Sequence, residues 1–182
     1  MMRLGPDMDA ALLFKRIWDD RFDWDSEHHR DTPARFAKML RDLTHQEPFK
    51  FTTFESDSNE MVIVKDINFH SLCAHHIVPF IGKAHVAYIP NGKLVGISKI
   101  ARTVKFHSAD LTVQEELTQT IANDLAEHLQ PVGVAVVMEA EHMCMTLRGV
   151  RAAGSKTITS CMLGAFADHD KEARSEFLSL IK

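Results

Sequence analysis

Residues 60–72, EMVIVKDINFHSL, decide the fold of this chain, together with GKAHVAYIP at residues 82–90. Both stretches are rich in β-branched and aromatic residues that alternate or run apolar, as in β-strands. The second stretch ends at Pro90-Asn91-Gly92, which is a strong turn signal. We therefore predict two neighbouring strands here, preceded by a further strand-like run, FKFTTFES, at residues 49–56.

Beyond these strands the pattern becomes helical. Two helices are predicted between Ser98 and Gln130, and the second has an apolar residue at every fourth position: Leu117, Ile121, Leu125 and Leu129. Strand-like runs return at residues 132–145 and 155–167, before a short amphipathic helix at residues 172–181. This order predicts an α+β fold with an antiparallel sheet and helices on one face. The open edges of such a sheet need cover, so we expect an oligomer.

The N-terminal residues predict a helical arm. Residues 8–20 place four apolar side chains on one helical stripe: Leu12, Leu13, Ile17 and Trp18. A second helix is predicted to begin with Thr32 as its N-cap and Pro33 at its first position. We therefore divide the chain into an arm, residues 1–48, and a main domain, residues 49–182.

Length and composition are those of an ordinary globular subunit. The chain has 182 residues, of which 45% are hydrophobic and 25% charged. A formal charge of -4 argues against a protein that binds nucleic acid. There are three cysteines, no basic-then-apolar N-terminus and no apolar run that approaches the roughly 18 residues of a membrane span. We expect a cytoplasmic protein that neither crosses nor binds a membrane.

Three residues give the strongest chemical signal: Cys73, His76 and Cys144. Two thiolates and an imidazole suit zinc, and three protein ligands leave a fourth tetrahedral position open for water, as in catalytic zinc sites. His75 and His142 lie beside them in the sequence as candidate proton-transfer groups. His142 and Cys144 are two residues apart in a strand-like run, which predicts that both side chains point to one face.

The cysteines and histidines of this group also fit two roles that involve no metal. Each cysteine could be a small buried hydrophobe, and each histidine a hydrogen-bonded polar residue. A redox disulfide between Cys73 and Cys144 is the second alternative, which is disfavoured because neither cysteine belongs to a Cys-x-x-Cys motif. The third cysteine, Cys161, lies in a strand-like run and is predicted to be a packing residue.

A series of sequence blocks resembles the type I GTP cyclohydrolase family over nearly the whole chain. The blocks follow that family's order and spacing: DTPARFAK, SLCAHHIVPF, GKAHVAYIP, GISKIAR, VQEELTQTIA, PVGVAVVMEAEHMCM and RGVRAAGSKTITS. The resemblance implies the tunnelling fold, in which a four-stranded antiparallel sheet has two helices on one face. It also implies that subunits close a joint β-barrel as a homodecamer of two pentamers, with active sites at the subunit interfaces.

The resemblance further implies an activity, a cofactor and a set of site residues. The activity is the opening of the imidazole ring of GTP, which gives 7,8-dihydroneopterin triphosphate and formate. Zinc would be held by Cys73, His76 and Cys144, while His75 and His142 would transfer protons. GTP would be bound by Glu115 at the guanine, by the adjacent Gln114, and at the triphosphate by Ser98, Lys99, Arg102 and Arg148, with Arg35 and Lys38 reaching in from the helical arm of another subunit.

Two residues depart from the family's pattern. Ala74 occupies the position where the family usually has a glutamate, and Asp110 lies near a position where the family often has an arginine. Loss of a supporting carboxylate at residue 74 predicts an activity that is lower by about 10- to 100-fold. An acid at residue 110 predicts weaker binding of a phosphate tail. Two further functions stay open: a tunnelling-fold paralogue that acts on another purine or pterin nucleotide, and a non-catalytic binding subunit that zinc stabilises.

Overall fold

The computed structural model describes residues 6–18, 21, 23–167 and 172–182. Contacts within the chain divide it into two units, Met1–His45 and Gln46–Lys182. The assignment of residues 1–48 to an arm and of residues 49–182 to a catalytic domain stays a prediction.

The N-terminal unit contains two helices, α1 (Pro6–Trp18) and α2 (Thr32–Leu43). Phe14 is buried, and its ring centroid lies 4.8 Å from that of Trp18 and 5.0 Å from that of Phe36. Aromatic packing therefore joins the two helices, because Phe14 and Trp18 lie on α1 and Phe36 lies on α2.

Two details of the helical arm differ from the prediction. Three residues of the predicted apolar stripe are about half exposed, namely Leu12, Leu13 and Ile17, and residues 19 and 20 lie outside the described residues. Helix α2 has Asp31 as its N-cap, so that Thr32 is its first helical residue. Pro33 is tolerated within the first turn because the N–H groups there have no partner inside the helix.

The C-terminal unit contains the remaining elements. Its strands are β1 (Thr53–Glu55), β2 (Val62–Cys73), β3 (Pro79–Ile89), β4 (Lys93–Val95), β5 (Leu111–Thr112), β6 (Gly133–His142) and β7 (Thr157–Gly164). Its helices are α3 (Ile97–Ser108), α4 (Gln114–Leu129), α5 (Met143–Thr146) and α6 (Glu172–Leu180).

A five-stranded sheet forms the centre of this unit, in the order β5-β2-β3-β6-β7. The four long strands pair antiparallel, whereas the two-residue strand β5 pairs parallel with the end of β2 at Leu72 and Cys73. Gly82 on β3 pairs with Ala140 on the neighbouring antiparallel strand β6, and a Cβ atom at Gly82 would lie 1.9 Å from the carbonyl oxygen of Glu139. The close approach of these strands therefore requires glycine at that position.

Apolar side chains cover both faces of the first part of β6, which explains the hydrophobic run from Gly133 to Met138. Val134, Val136 and Met138 face α3 and α4 in the main core, together with residues such as Ile100 and Ile121. The intervening Ala135 and Val137 belong to a second cluster that includes Phe166 and Phe177, the latter from α6. This part of β6 is thus buried on both sides, as an apolar run without alternation indicates.

These observations confirm the predicted mixed α+β class. The sheet has five strands where four were predicted, because Leu111–Thr112 forms a short additional strand, and helix α6 packs on the face opposite α3 and α4. Within the part of the chain that the structure describes, every helix is too short or too polar to span a bilayer.

Candidate metal centre and its surroundings

A tight turn after β2 positions the first two candidate ligands. The carbonyl oxygen of Cys73 accepts hydrogen bonds from the N–H groups of His76 (3.1 Å) and Ile77 (2.8 Å). The N–H group of Cys73 donates to the carbonyl of Val78 at 2.9 Å, which closes the turn. Ile77 has a φ of 55°, a left-handed conformation that is strained for a β-branched side chain. The backbone is therefore held in an unfavourable conformation directly beside His76.

The third candidate ligand, Cys144, lies on the short helix α5 and not on a strand. Strand β6 ends at His142, and the chain then turns into the helix Met143–Thr146. The prediction that His142 and Cys144 share one face of a strand is therefore wrong. The strand-like sequence pattern continues through residue 145, but the backbone is helical from Met143 onward. Side chains two residues apart lie on the same face of a strand but not of a helix.

The structure brings Cys73, His76 and Cys144 together, with one potential ligand atom from each lying within 4.8 Å of the others. The Nδ1 atom of His76 is 3.9 Å from the sulfur of Cys73. A tetrahedral zinc ion, with bonds of about 2.3 Å to sulfur and about 2.0–2.1 Å to nitrogen, would hold its ligand atoms roughly 3.5 Å apart. These three residues therefore fit a metal ion after a small inward movement.

The thiols of the group are free and lie in surroundings that a cation would stabilise. Cys73, Cys144 and Cys161 are all free, so the disulfide between Cys73 and Cys144 is not formed. Burial, reinforced by the neighbouring Cys73, raises the pKa of the Cys144 thiol above its ordinary value. A bound metal cation would reverse this effect, because coordination favours the thiolate. Burial also raises the pKa of Cys161, in keeping with a packing role.

Two further candidate residues lie directly beside this group. The Nδ1 atom of His75 is 3.8 Å from the sulfur of Cys73, and its ring meets that of His76 edge to face at 6.1 Å. Arg148 donates a hydrogen bond of 2.8 Å from Nη1 to the Nε2 atom of His76. The Nδ1 atom of His76 is therefore the one that faces the thiols.

His142, the second candidate proton-transfer residue, is held from two sides. Its ring stacks on that of Phe80 at a centroid distance of 4.7 Å and an interplanar angle of 3°. Its Nε2 atom lies 2.7 Å from Oε1 of Gln114. Burial lowers the pKa of His142, while the negative charge of Glu115 acts in the opposite direction. Burial of the ring therefore favours the neutral form of the His142 imidazole.

Most of the residues expected at the substrate lie on helices α2, α3 and α4. Glu115 is exposed at the start of α4, whereas its neighbour Gln114 is fully buried. Ser98, Lys99 and Arg102 lie on α3, where Arg102 lines a groove of about 270 Å³. Arg35 and Lys38 lie on α2 in the N-terminal unit, where they form exposed pairs with Asp31 and Asp42. Such exposed pairs contribute little stability, so both cations remain available to an anion.

The two residues that depart from the family pattern have local roles. The N–H group of Ala74 donates to the carbonyl of Thr112 at 3.1 Å, and its methyl group is exposed. The carboxylate of Asp110 accepts from the N–H group of Leu111 at 2.7 Å. The carbonyl oxygen of Asp110 also accepts from the N–H group of Leu72 and the hydroxyl of Ser71. Asp110 therefore helps to join β5 to β2.

Three residues near His142 were not identified from the sequence: Phe80, Thr118 and Thr159. Thr118 is buried one helical turn after Gln114, and Thr159 lies on β7 within hydrogen-bonding distance of both. The helical spacing from Gln114 through Leu117 and Thr118 indicates a buried face. No local signal identifies Thr159, because its partners are more than 40 residues away in sequence.

Known proteins resemble this chain over most of its length. Residues 16–182 match the family model for GTP cyclohydrolase I. The chain is 52% identical to GTP cyclohydrolase 1 of Bacillus pumilus, covering 93% of this chain and 91% of that protein. It is 49% identical to the enzyme of Brevibacillus brevis, with 95% and 94% covered. It is 51% identical to that of Saccharomyces cerevisiae, with 83% of this chain and 64% of the yeast protein covered.

A solved structure supports the fold at much lower sequence identity. The archaeosine synthase QueF-Like in the apo form matches with a TM-score of 0.50 and 18% identity, over 59% of this chain and 97% of that one. This likeness concerns the fold alone. The family match and the identities of about one half over most of the chain are decisive for classification. The chain belongs to the GTP cyclohydrolase I family.

Proposed function

We propose that this protein opens the imidazole ring of GTP by hydrolysis, giving 7,8-dihydroneopterin triphosphate and formate. The observation that carries the proposal is the convergence of Cys73, His76 and Cys144 within 4.8 Å, in a chain that belongs to the GTP cyclohydrolase I family. His75 and His142 beside this group provide acid and base groups for the reaction.

Zinc is the metal that we assign to the three ligands. Two sulfurs and one imidazole nitrogen favour zinc over the hard cations magnesium and calcium, which prefer oxygen ligands. Three protein ligands leave a fourth position open, as catalytic rather than structural sites do. Zinc held there would supply a Lewis acid that makes water a nucleophile at neutral pH.

The protein's own residues would move protons around the guanine ring. Attack by water on C8, the carbon lost as formate, requires protonation of the ring nitrogens as the C–N bonds open. His142 is suited to this exchange because its ring is held in a fixed orientation between Phe80 and Gln114. His75 is exposed beside Cys73 and can exchange protons with solvent between steps.

Anion recognition and base recognition would fall to separate residues. Glu115 can accept hydrogen bonds from the N–H groups of guanine, and its exposed position at the start of α4 leaves its carboxylate accessible. Arg148 lies against His76 and would bring a guanidinium, suited to bidentate phosphate contacts, next to the metal centre. The remaining triphosphate contacts would come from Ser98, Lys99, Arg102, Arg35 and Lys38.

We further propose a tunnelling-fold homodecamer of two pentamers with sites at subunit interfaces. Among the described residues, strand β7 has a partner on one side only, and β2 pairs on its outer side only through Leu72 and Cys73. The exposed side chain of Ile158 lies on β7. Open edges of this length favour pairing between subunits. A cytoplasmic location also belongs to this proposal.

One assay separates this function from the two alternatives. Purified, zinc-loaded protein is incubated with GTP, and formate and the pterin absorbance are followed. Formation of both supports the proposal. A paralogue for another nucleotide, which Ala74 and Asp110 favour, would release no formate from GTP but would turn over a different purine or pterin. A binding subunit would bind a nucleotide without converting any.

A further inference from the structure

The amide of Gln114 has a single orientation that its surroundings dictate. Its side chain is fully buried, and its Nε2 atom lies 3.1 Å from the carbonyl oxygens of both Met138 and Thr157. Carbonyl oxygens only accept hydrogen bonds, so the NH₂ group must face them. The amide oxygen therefore faces Nε2 of His142, at 2.7 Å.

This orientation determines which nitrogen of His142 carries the proton. An amide oxygen has no hydrogen to donate, so Nε2 of His142 must be the donor. In a neutral imidazole the other nitrogen, Nδ1, then has a free lone pair. The stack of His142 on Phe80 fixes the plane of the ring, and the bond to Gln114 fixes its rotation within that plane.

Two threonines, Thr118 and Thr159, complete the hydrogen-bond network around Gln114. Thr118 donates from Oγ1 to the backbone carbonyl of Gln114 at 2.6 Å, which uses its only hydroxyl hydrogen. Thr159 lies 2.6 Å from Thr118 and must therefore donate to it. A lone pair of Thr159, 3.0 Å from Nε2 of Gln114, is then a third acceptor, which shares the two amide hydrogens with the carbonyls of Met138 and Thr157. The NH₂ group is the donor at all three contacts, so the amide oxygen is left to face His142.

We propose that Gln114 is not a substrate contact but a positioning residue. It holds His142 with the Nε2 atom protonated, so that Nδ1 is the atom that exchanges protons with the substrate. This inference rests on the proposed function. It replaces the expectation from the family resemblance that Gln114 binds GTP, because the polar atoms of the buried amide are already bonded within the protein.

The tautomer of His142 can be measured without any activity. Zinc-loaded protein with ¹⁵N-labelled histidine rings is studied by solid-state NMR near pH 8, and the signal of His142 is assigned by its absence in a His142→Asn variant. We expect a protonated Nε2 and an unprotonated Nδ1. A ring that is protonated at Nδ1 overturns the inference, whether or not the protein converts GTP.

Matched threonine variants test the positioning role in turnover. In Thr159→Val the hydroxyl that accepts from Gln114 is lost, whereas Thr157, two residues earlier on β7, contacts Gln114 only through its backbone carbonyl. We expect Thr159→Val to lower kcat by about 3- to 10-fold with KM for GTP changed less than about twofold. Thr157→Val is expected to change kcat by less than about twofold, because its carbonyl remains.

A direct variant and the wild type complete the test. Gln114→Met, which keeps the volume but has no amide, is expected to lower kcat by about 10- to 100-fold, again with little change in KM. A raised KM with an unchanged kcat would make Gln114 a substrate contact and overturn the inference. If Gln114→Met does not fold, the threonine pair and the NMR measurement still decide. Failure of the wild type to release formate would instead refute the proposed function.

Discussion

Replacing Phe80 by leucine should lower turnover more than the same change at Phe69. Both rings are buried, with 0% and 3% of their surface exposed, and they contact each other edge to face at 6.0 Å. Of these two rings, Phe80 is the one that stacks on His142, at 4.7 Å. Each substitution should therefore cost a similar stability, roughly 1–2 kcal/mol, because each removes a few buried atoms from the same core.

The two variants should differ in catalysis. A stacked pair contributes about 0.5–1.5 kcal/mol beyond its buried area, which corresponds to a loss of about 2- to 13-fold in kcat if His142 is no longer held in position. Formate release by zinc-loaded Phe80→Leu should fall by this factor, while Phe69→Leu keeps a kcat close to that of the wild type. Thermal melts and zinc content check that both variants are folded and loaded. Equal kcat values for the two variants would refute the claim that the stack on Phe80 positions His142.

Three further predictions concern other parts of the molecule. Ala74→Glu should raise kcat by about 10- to 100-fold if the carboxylate usual in the family supports the site, and an unchanged or lower rate would count against that role. Gln130 ends α4 in a left-handed conformation with φ of 47°, which glycine adopts more readily than other residues, so Gln130→Gly should raise Tm by about 2–4 °C. Gln119→Gly in the exposed middle of the same helix should instead lower Tm by a similar amount. His85 accepts a hydrogen bond at Nδ1 from the N–H group of Asp66, and burial lowers its pKa, so the folded protein resists protonating it. As pH falls below about 6.5, the unfolded chain therefore binds more protons than the folded protein, and the free energy of unfolding decreases. His85→Gln, whose amide oxygen can accept the same hydrogen bond, should make this decrease smaller in thermal melts between about pH 5 and 7. A decrease as steep as that of the wild type would exclude His85 as its source.

The regular elements around the site could be predicted because their periodicities are local. The β-branched runs at residues 60–72 and 82–90 correspond to β2 and β3, and the four-residue spacing of Leu117, Ile121 and Leu125 corresponds to α4. These patterns reflect burial of one face, which the chain shows within a single element. The mixed α+β class follows from their order.

The local geometry at Cys144 could not be predicted in the same way. Residues 132–145 form one strand-like stretch, apolar as far as Met138 and mixed after it, yet the strand ends at His142 and a helix begins at Met143. No capping side chain marks this helix start. The change of backbone brings Cys144 to Cys73 and His76, which belong to a turn about 70 residues earlier in the chain. A convergence over this separation depends on the register of the sheet rather than on any local pattern.

The environment of Gln114 shows a similar limit. Its helical spacing to Leu117 and Ile121 places it on the buried face of α4, which the sequence pattern indicates. Its partners could not be predicted, because Met138 and Thr157 are 24 and 43 residues away and contribute backbone carbonyls that any residue type would offer. The family resemblance indicates where Gln114 lies in the site, but only the hydrogen-bond network indicates what it does.

Release of formate from GTP labelled at C8 tests the central claim most directly. Zinc-loaded protein, with its metal content measured on the same sample, is expected to release labelled formate in equal amount to the pterin formed. Cys144→Ala, which removes one of the three ligands, is expected to lose zinc and formate release together. Absence of labelled formate from a wild-type sample with zinc confirmed bound would contradict the assignment.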